Sequence, residues 1–183
     1  PELTVGETYP SGKAELTLKG VALLDAVIDE NMGWDAEEGT DYLCAIYNLR
    51  NVGTSADDVI PEEVIHSQVI YNGQYEYEEL DLDIAGHGNA YSGYTPIPPL
   101  MDFTLYSIFQ LPAEAAENCG AIVLHCQLGE TTYTFSGAEN AVAYQQEIMA
   151  LPDDFADGYD GLMDAAGAIF PDAQEIRAAY TAA

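Results

Sequence analysis

Residues 42–51 limit the fold of this chain more than any other stretch. They read Tyr-Leu-Cys-Ala-Ile-Tyr-Asn-Leu-Arg-Asn. Leu43, Ala45, Tyr47 and Leu49 fall on one face of an extended chain, and Tyr42, Cys44, Ile46 and Asn48 on the other. Asn51-Val52-Gly53 then closes the strand as a turn. Residues 14–18 alternate in the same way, and 21–28 continue as an apolar run broken by Asp25. An acidic loop, 29–41, follows and holds the single Trp34. Residues 64–71 and 74–84 flank Asn72-Gly73, whose tolerance of positive φ marks a type I′ hairpin. A Gly-, Pro-, Tyr- and Ser-rich loop spans 85–99. Residues 103–111 return to strand, with Phe103, Leu105, Ser107, Phe109 and Leu111 sharing a face. The segments 121–128 and 131–135 form a second hairpin around Gly129-Glu130. Six or seven short strands separated by turns predict an antiparallel β-sandwich. Parity draws its core from Leu16, Leu18, Leu43, Ala45, Tyr47, Leu49, Phe103, Leu105, Phe109, Ile122, Leu124 and Leu128.

The composition changes at Ser136-Gly137. Beyond it, Val142, Gln145, Ile148 and Met149 recur at helical spacing, and Phe155, Tyr159, Leu162, Met163 and Ala166 form a second stripe. Pro152 separates the two stripes, and Asp172 stands as the N-cap of a last helix. The expected organisation is a sandwich over residues 1–137 and a helical extension, 138–183, packed on it.

Several segments are similar to one bacterial family. They are the strand and Asn-x-Gly turn at 42–53, the hairpin at 70–75, Ile97-Pro98-Pro99-Leu100, the strand 103–112 ending Phe-Gln-Leu-Pro, and the hairpin 122–135. In that order they resemble the immunoglobulin-like domain of unknown function found in secreted proteins and lipoproteins of Gram-positive bacteria. The resemblance covers roughly residues 14–136 and departs from the family in the few lysines and the helical tail. It implies a mainly β, immunoglobulin-like sandwich displayed outside the cell, often tethered by a lipid on the precursor, and it implies no active site. Such a fold places the strands of Cys44 and Cys126 in opposite sheets, which makes them the pair if any bridge forms. Parity opposes the bridge, because Cys44 lies on the face opposite the expected core and Cys126 on the core face. Cys44, Cys119 and Cys126 are therefore expected as free thiols, packed as small hydrophobes.

Charge excludes more than it assigns. The 183 residues carry 32 acids against four bases, Lys13, Lys19, Arg50 and Arg177, a formal charge of −28. Phosphate backbones and anionic lipid surfaces both need clustered lysine or arginine, so neither nucleic acid nor membrane docking fits. No apolar run is long enough to span a bilayer as a helix. The acidic surface suits an exported protein that stays soluble among anionic polymers.

Enzyme signatures are equally scarce. The three histidines, His66, His87 and His125, form no zinc-hydrolase pair, and Cys-x-x-Cys and Gly-x-Ser-x-Gly do not occur. His125 and Cys126 point to opposite faces of a strand and make no dyad. Gly6 to Lys13 departs from a phosphate loop in its glycine spacing and in Ala14, which stands where Ser or Thr would hold magnesium. Carboxylates are too many for any pair to mark a glycosidase. The acidic stretch 153–164 resembles a calcium loop, but Phe155 occupies a ligand position, and a solvated helix start explains it as well.

Tyrosine points elsewhere, with 13 Tyr against 5 Phe. Tyr91 and Tyr94, together with His87, lie in a loop of Gly, Asn and Ser, the composition of adaptable binding loops. The reading is a non-catalytic extracellular or cell-surface interaction domain that binds a protein or glycan through His87, Tyr91 and Tyr94, without cofactor or metal. The alternatives are a carbohydrate-active enzyme built on carboxylates and tyrosines, and a calcium-stabilised structural module.

Overall fold

A computed structural model of the chain describes residues 1–24, 26–29, 32–85, 87 and 90–136. Its strands are β1 (Thr8–Ser11), β2 (Ala14–Leu24), β3 (Ala26–Asp29), β4 (Met32–Asp35), β5 (Thr40–Asn51) and β6 (Ile65–Tyr71). They continue with β7 (Tyr75–Glu78), β8 (Asp81–Ile84), β9 (Asp102–Pro112), β10 (Ile122–Leu128) and β11 (Thr131–Phe135). Two short helices, α1 (Pro61–Val64) and α2 (Ala113–Glu117), lie between strands. A five-stranded sheet has the order β1-β2-β5-β9-β8, a four-stranded sheet the order β11-β10-β6-β7, and β3 pairs with β4 alone. Every pairing of named strands is antiparallel. The two larger sheets face each other across one apolar core. The helical extension expected at 138–183 and the acidic stretch at 153–164 lie outside the described residues.

Parity places the core. Leu16, Leu18, Leu43, Ala45, Tyr47, Leu49, Leu105, Phe109, Ile122, Leu124 and Leu128 are all buried between the sheets. Phe103 is only partly buried at the rim, where β9 begins, and packs against that core. In β2 the alternation would fail after Leu18, but a bulge between Leu18 and Gly20 absorbs Lys19. Ala14, Leu16 and Leu18 before it, and Val21 and Leu23 after it, therefore all face inward. The opposite face of the five-stranded sheet buries a second apolar cluster, Ala22, Leu24, Tyr42, Cys44, Ile46, Tyr106 and Ile108, with Val27 of β3. β5 is the middle strand of that sheet, which explains apolar residues on both of its faces.

Several elements differ from the sequence reading, and the expected run 21–28 is divided between β2 and β3. Residues 8–11, seen only as a failed phosphate loop, form the edge strand β1, paired with β2 across a two-residue turn. Within the expected loop 29–41, residues 32–35 form β4 and pair with β3. The expected single strand 74–84 is two strands in different sheets: β7 pairs with β6, whereas β8 pairs with β9. The chain crosses between sheets at Glu79-Leu80, and the Leu80 N–H donates to Ile108 O at 2.7 Å. The Asn72-Gly73 turn has positive φ at both residues, 53° and 69°, as a type I′ hairpin demands.

Candidate functional site

The loop after β8 is fastened to the sandwich at several points. Asn51, at the end of β5, is fully buried and is its main anchor. Its Nδ2 donates to Ser55 O at 2.8 Å and Ile97 O at 2.7 Å, and its Oδ1 accepts from Gly53 N at 2.7 Å. Its backbone also pairs with Leu100 and Met101. Gly53 is required for space: a Cβ there would lie 2.4 Å from Asp58 Oδ2. The Asn-x-Gly turn thus locks one end of the sandwich to residues 97–101. Ile97 is buried in the main core. Farther along the loop, Gly93 N donates to Asp83 Oδ1 at 3.1 Å, and Gly93 O accepts from Glu62 N at 2.9 Å.

On this loop, two of the three residues expected to bind come together. The His87 ring stacks on Tyr91 with centroids 4.1 Å apart, and Phe103 closes on both, 5.7 Å from His87 and 5.8 Å from Tyr91. Tyr91 and Phe103 pack against the core, so the stack rests on a fixed base. Tyr94 stands apart from that stack in a turn closed by Ser92 N to Thr95 Oγ1 at 2.9 Å, with 71% of its surface exposed. Leu100 is 69% exposed and holds a left-handed φ of 63°, unusual for leucine, while Met101 and Val52 beside it are also exposed. The loop therefore presents an aromatic platform, a projecting tyrosine and an apolar tip.

A second constellation was not expected from the sequence. Between the sheets, Tyr47 Oη and Ser67 Oγ lie 3.2 Å apart, and the buried Cys126 thiol lies beside them. Next to them Ser107, fully buried on β9, donates to a carboxylate oxygen of Glu79 at the crossover. Burial, with Glu62, Asp81 and Glu78 adding like charge, pushes the Glu79 carboxyl up to about 7 against the Ser107 hydrogen bond. Burial likewise raises the Cys126 thiol to about 11 and lifts the Tyr47 hydroxyl and the Cys44 thiol. These thiols are not activated nucleophiles. Ser107 was legible as a polar residue on an apolar face; Glu79 was not, because only the crossover brings it inward.

Two clefts lie on the described surface. One of about 440 Å³ lies at the end of the sandwich between Ser11, Lys13, Asp57, Asp58, Val64 and Gly129. There Lys13 Nζ pairs with Asp58 Oδ1 at 2.7 Å, which holds the Asp58 carboxyl below its usual range. The other, about 190 Å³, crosses the outer face of β1, β2, β5 and β9. Its polar groups largely satisfy one another, with Thr8 and Thr17 hydroxyls at 2.9 Å and Asn48 Nδ2 to Asp102 Oδ2 at 2.6 Å. Cys44 and Cys126 occupy different apolar clusters on opposite faces of the five-stranded sheet, and all three cysteines are free thiols. His125 is half-buried on the outer side of β10, turned away from Cys126. Among the described residues no helix is long and apolar enough to cross a membrane.

One known structure shares this architecture. An uncharacterized β-sandwich protein from Clostridium difficile is similar with a TM-score of 0.59 at 19% identity, over 73% of this chain and 91% of that one. The chain is a β-sandwich. A conserved hypothetical protein from Bacillus anthracis, 12% identical over 73% of this sandwich chain and 95% of its own, reaches a TM-score of 0.48. No family model matches the sequence, and no curated protein matches it.

Proposed function

We propose that this β-sandwich is an immunoglobulin-like, non-catalytic interaction domain that works outside a bacterial cell, carried there by a precursor with a signal or lipid anchor. The strand order supports the first part. β2-β5-β9-β8 against β11-β10-β6-β7 repeats the A-B-E-D and G-F-C order of immunoglobulin domains, with β7 as an added strand beside C. In antibody domains a disulfide joins B to F. Here the equivalent strands, β5 and β10, carry Cys44 and Cys126, but Cys44 faces outward and the Tyr47 hydroxyl meets Cys126 instead. The net charge of −28 supports a role away from nucleic acid and anionic lipid.

The observation that carries the binding role is the aromatic loop. A His87–Tyr91–Phe103 stack anchored in the core, beside an exposed Tyr94, offers flat apolar faces and hydroxyls at small entropic cost. Such a surface takes a sugar ring or an apolar side chain of a protein partner. The test is a glycan array and an array of bacterial cell-surface fractions probed with the chain and with Tyr94→Ala. Tyr94 is exposed, so the variant keeps its melting temperature, and binding is expected to fall at least about tenfold. Equal binding by the variant rejects the loop as the site. Recovery of the native protein in the cytosolic fraction of its own cells rejects the extracellular role.

A further inference from the structure

The crossover between the sheets is held by an unusual fastening. Where the chain leaves β7 for β8, Glu79 reaches back into the sandwich and accepts a hydrogen bond from Ser107. Ser107 lies on the rung where Ala45, Ser107 and Leu82 are opposed, so on the β5 side its neighbour is the small Ala45. The backbone is tied beside it by the Leu80 N–H on Ile108 O. The groups facing Glu79 are nearly all acidic or uncharged: Glu78 from β7, Asp81 from β8, Glu62 from α1, Tyr47 from β5 and Cys126 from β10. His66, on β6, acts on Glu62 with the opposite sign.

A neutral carboxyl fits this position; a carboxylate there is desolvated and repelled by three neighbours. We propose that Glu79 is a proton-operated latch. While protonated it fastens the β7–β8 crossover to the core, and on losing its proton to solvent it releases it. The latch is linked to the 91–95 turn through Glu62, whose charge acts on Glu79, and through β8; the turn's two footings are the Glu62 N–H on Gly93 O and the Asp83 carboxylate on Gly93 N. A Cβ at Gly93 would come within 2.3 Å of Leu82 O, so this turn is seated directly on β8. Release of the crossover therefore loosens the turn that presents Tyr94. The latch does not depend on that turn having a ligand.

Amide exchange of the full chain by NMR, corrected for the intrinsic chemical rate at each pH, reads the latch. The sign follows from linkage: the docked carboxyl titrates about 7 and the released one in its ordinary range, so opening becomes easier as pH rises. Protection of the Leu80 amide is expected to fall about tenfold between pH 6 and 8, and that of Gly93 to fall with it. Glu79→Gln removes the fall, whereas Glu78→Gln, on the exposed edge, retains it. Equal Leu80 protection at both pH values, or the same fall in Glu79→Gln, overturns the latch. A fall at Leu80 with constant protection at Gly93 overturns its reach to the turn. Should Glu79→Gln fail to fold, titration of the Glu79 carboxyl carbon in the unaltered protein decides: a midpoint near 7 supports the latch and an ordinary carboxylate midpoint overturns it.

Discussion

A single buried amide does much of the work of holding the loop after β8. Asn51 satisfies two carbonyls and one amide that would otherwise be stranded at the end of the core. Asn51→Ala leaves them without partners, and the expected loss is about 2–4 kcal/mol, read from urea unfolding at constant m-value. Asn51→Asp is expected to be at least as damaging, because a carboxylate would face the carbonyls of Ser55 and Ile97. Loss below about 0.5 kcal/mol in both would show that Asn51 is not the anchor. The sequence marked this residue only as a turn former, since its carbonyl partner Ile97 lies 46 positions away. The same limit hid Glu79. In Tyr75-Glu76-Tyr77-Glu78-Glu79 an acid at every other position reads as a solvated edge, and nothing local separates the one that turns inward. Ser107, by contrast, stood out within the apolar alternation of β9. Of the loop residues, composition pointed to His87, Tyr91 and Tyr94, but only the stacking geometry separates the paired first two from the projecting third.

Element by element, periodicity located the strands and failed where the chain changes sheet or register. Residues 74–84 keep the look of one strand because β7 and β8 both alternate, and the intervening Glu79-Leu80 carries no glycine or proline to announce a corner. β2 makes the complementary point. Its two halves obey opposite parities, and exposed Lys19 is the extra residue that reconciles them. Deleting Lys19 should therefore leave Leu18 opposite Tyr47 and Gly20 opposite Ile46, a regular ladder with the core facing unchanged. The deletion is expected to fold, with stability within about 1–2 kcal/mol of the parent. Deleting Thr17 from the same strand has the reverse effect. Either Leu18 leaves the core and Lys19 enters it, or Ala14 and Leu16 turn outward, at a cost of about 3 kcal/mol or more. Thermal melts of the two deletions rank them directly. If the Lys19 deletion unfolds and the Thr17 deletion does not, the parity argument for β2 is wrong.

At the scale of the whole molecule, the excess of acid sets how stability responds to its surroundings. With 32 acids and four bases, most carboxylates have no cationic partner, and folding brings them closer together. Crowding raises folded-state carboxylate pKa values above the unfolded ones, so the folded chain binds more protons over the intervening range. Glu79, pushed up to about 7, and Glu62, raised by burial and by Asp81, act in this sense. A raised carboxyl contributes stability that is lost as pH climbs from its unfolded to its folded value; for Glu79 that amounts to about 2 kcal/mol between pH 5.5 and 8. Asp58 runs the other way, held down by Lys13, but its contribution is lost only as pH falls below the ordinary carboxylate range, outside this window. The melting temperature is therefore expected to rise as pH drops from 8 to 5.5, and Glu79→Gln to melt higher than the parent at pH 8 with a flatter profile. Salt should mimic protonation by screening, with most of the gain reached near 0.15 M, where the Debye length is about 8 Å. Sodium, magnesium and calcium at matched ionic strength separate screening from specific binding. Equal melts in the three salts are the expected result, and a calcium-specific rise would favour the calcium-stabilised module. A melting temperature that falls steadily from pH 8 to 5.5 would contradict the repulsion argument, because ion pairing would then outweigh the crowding of like charge.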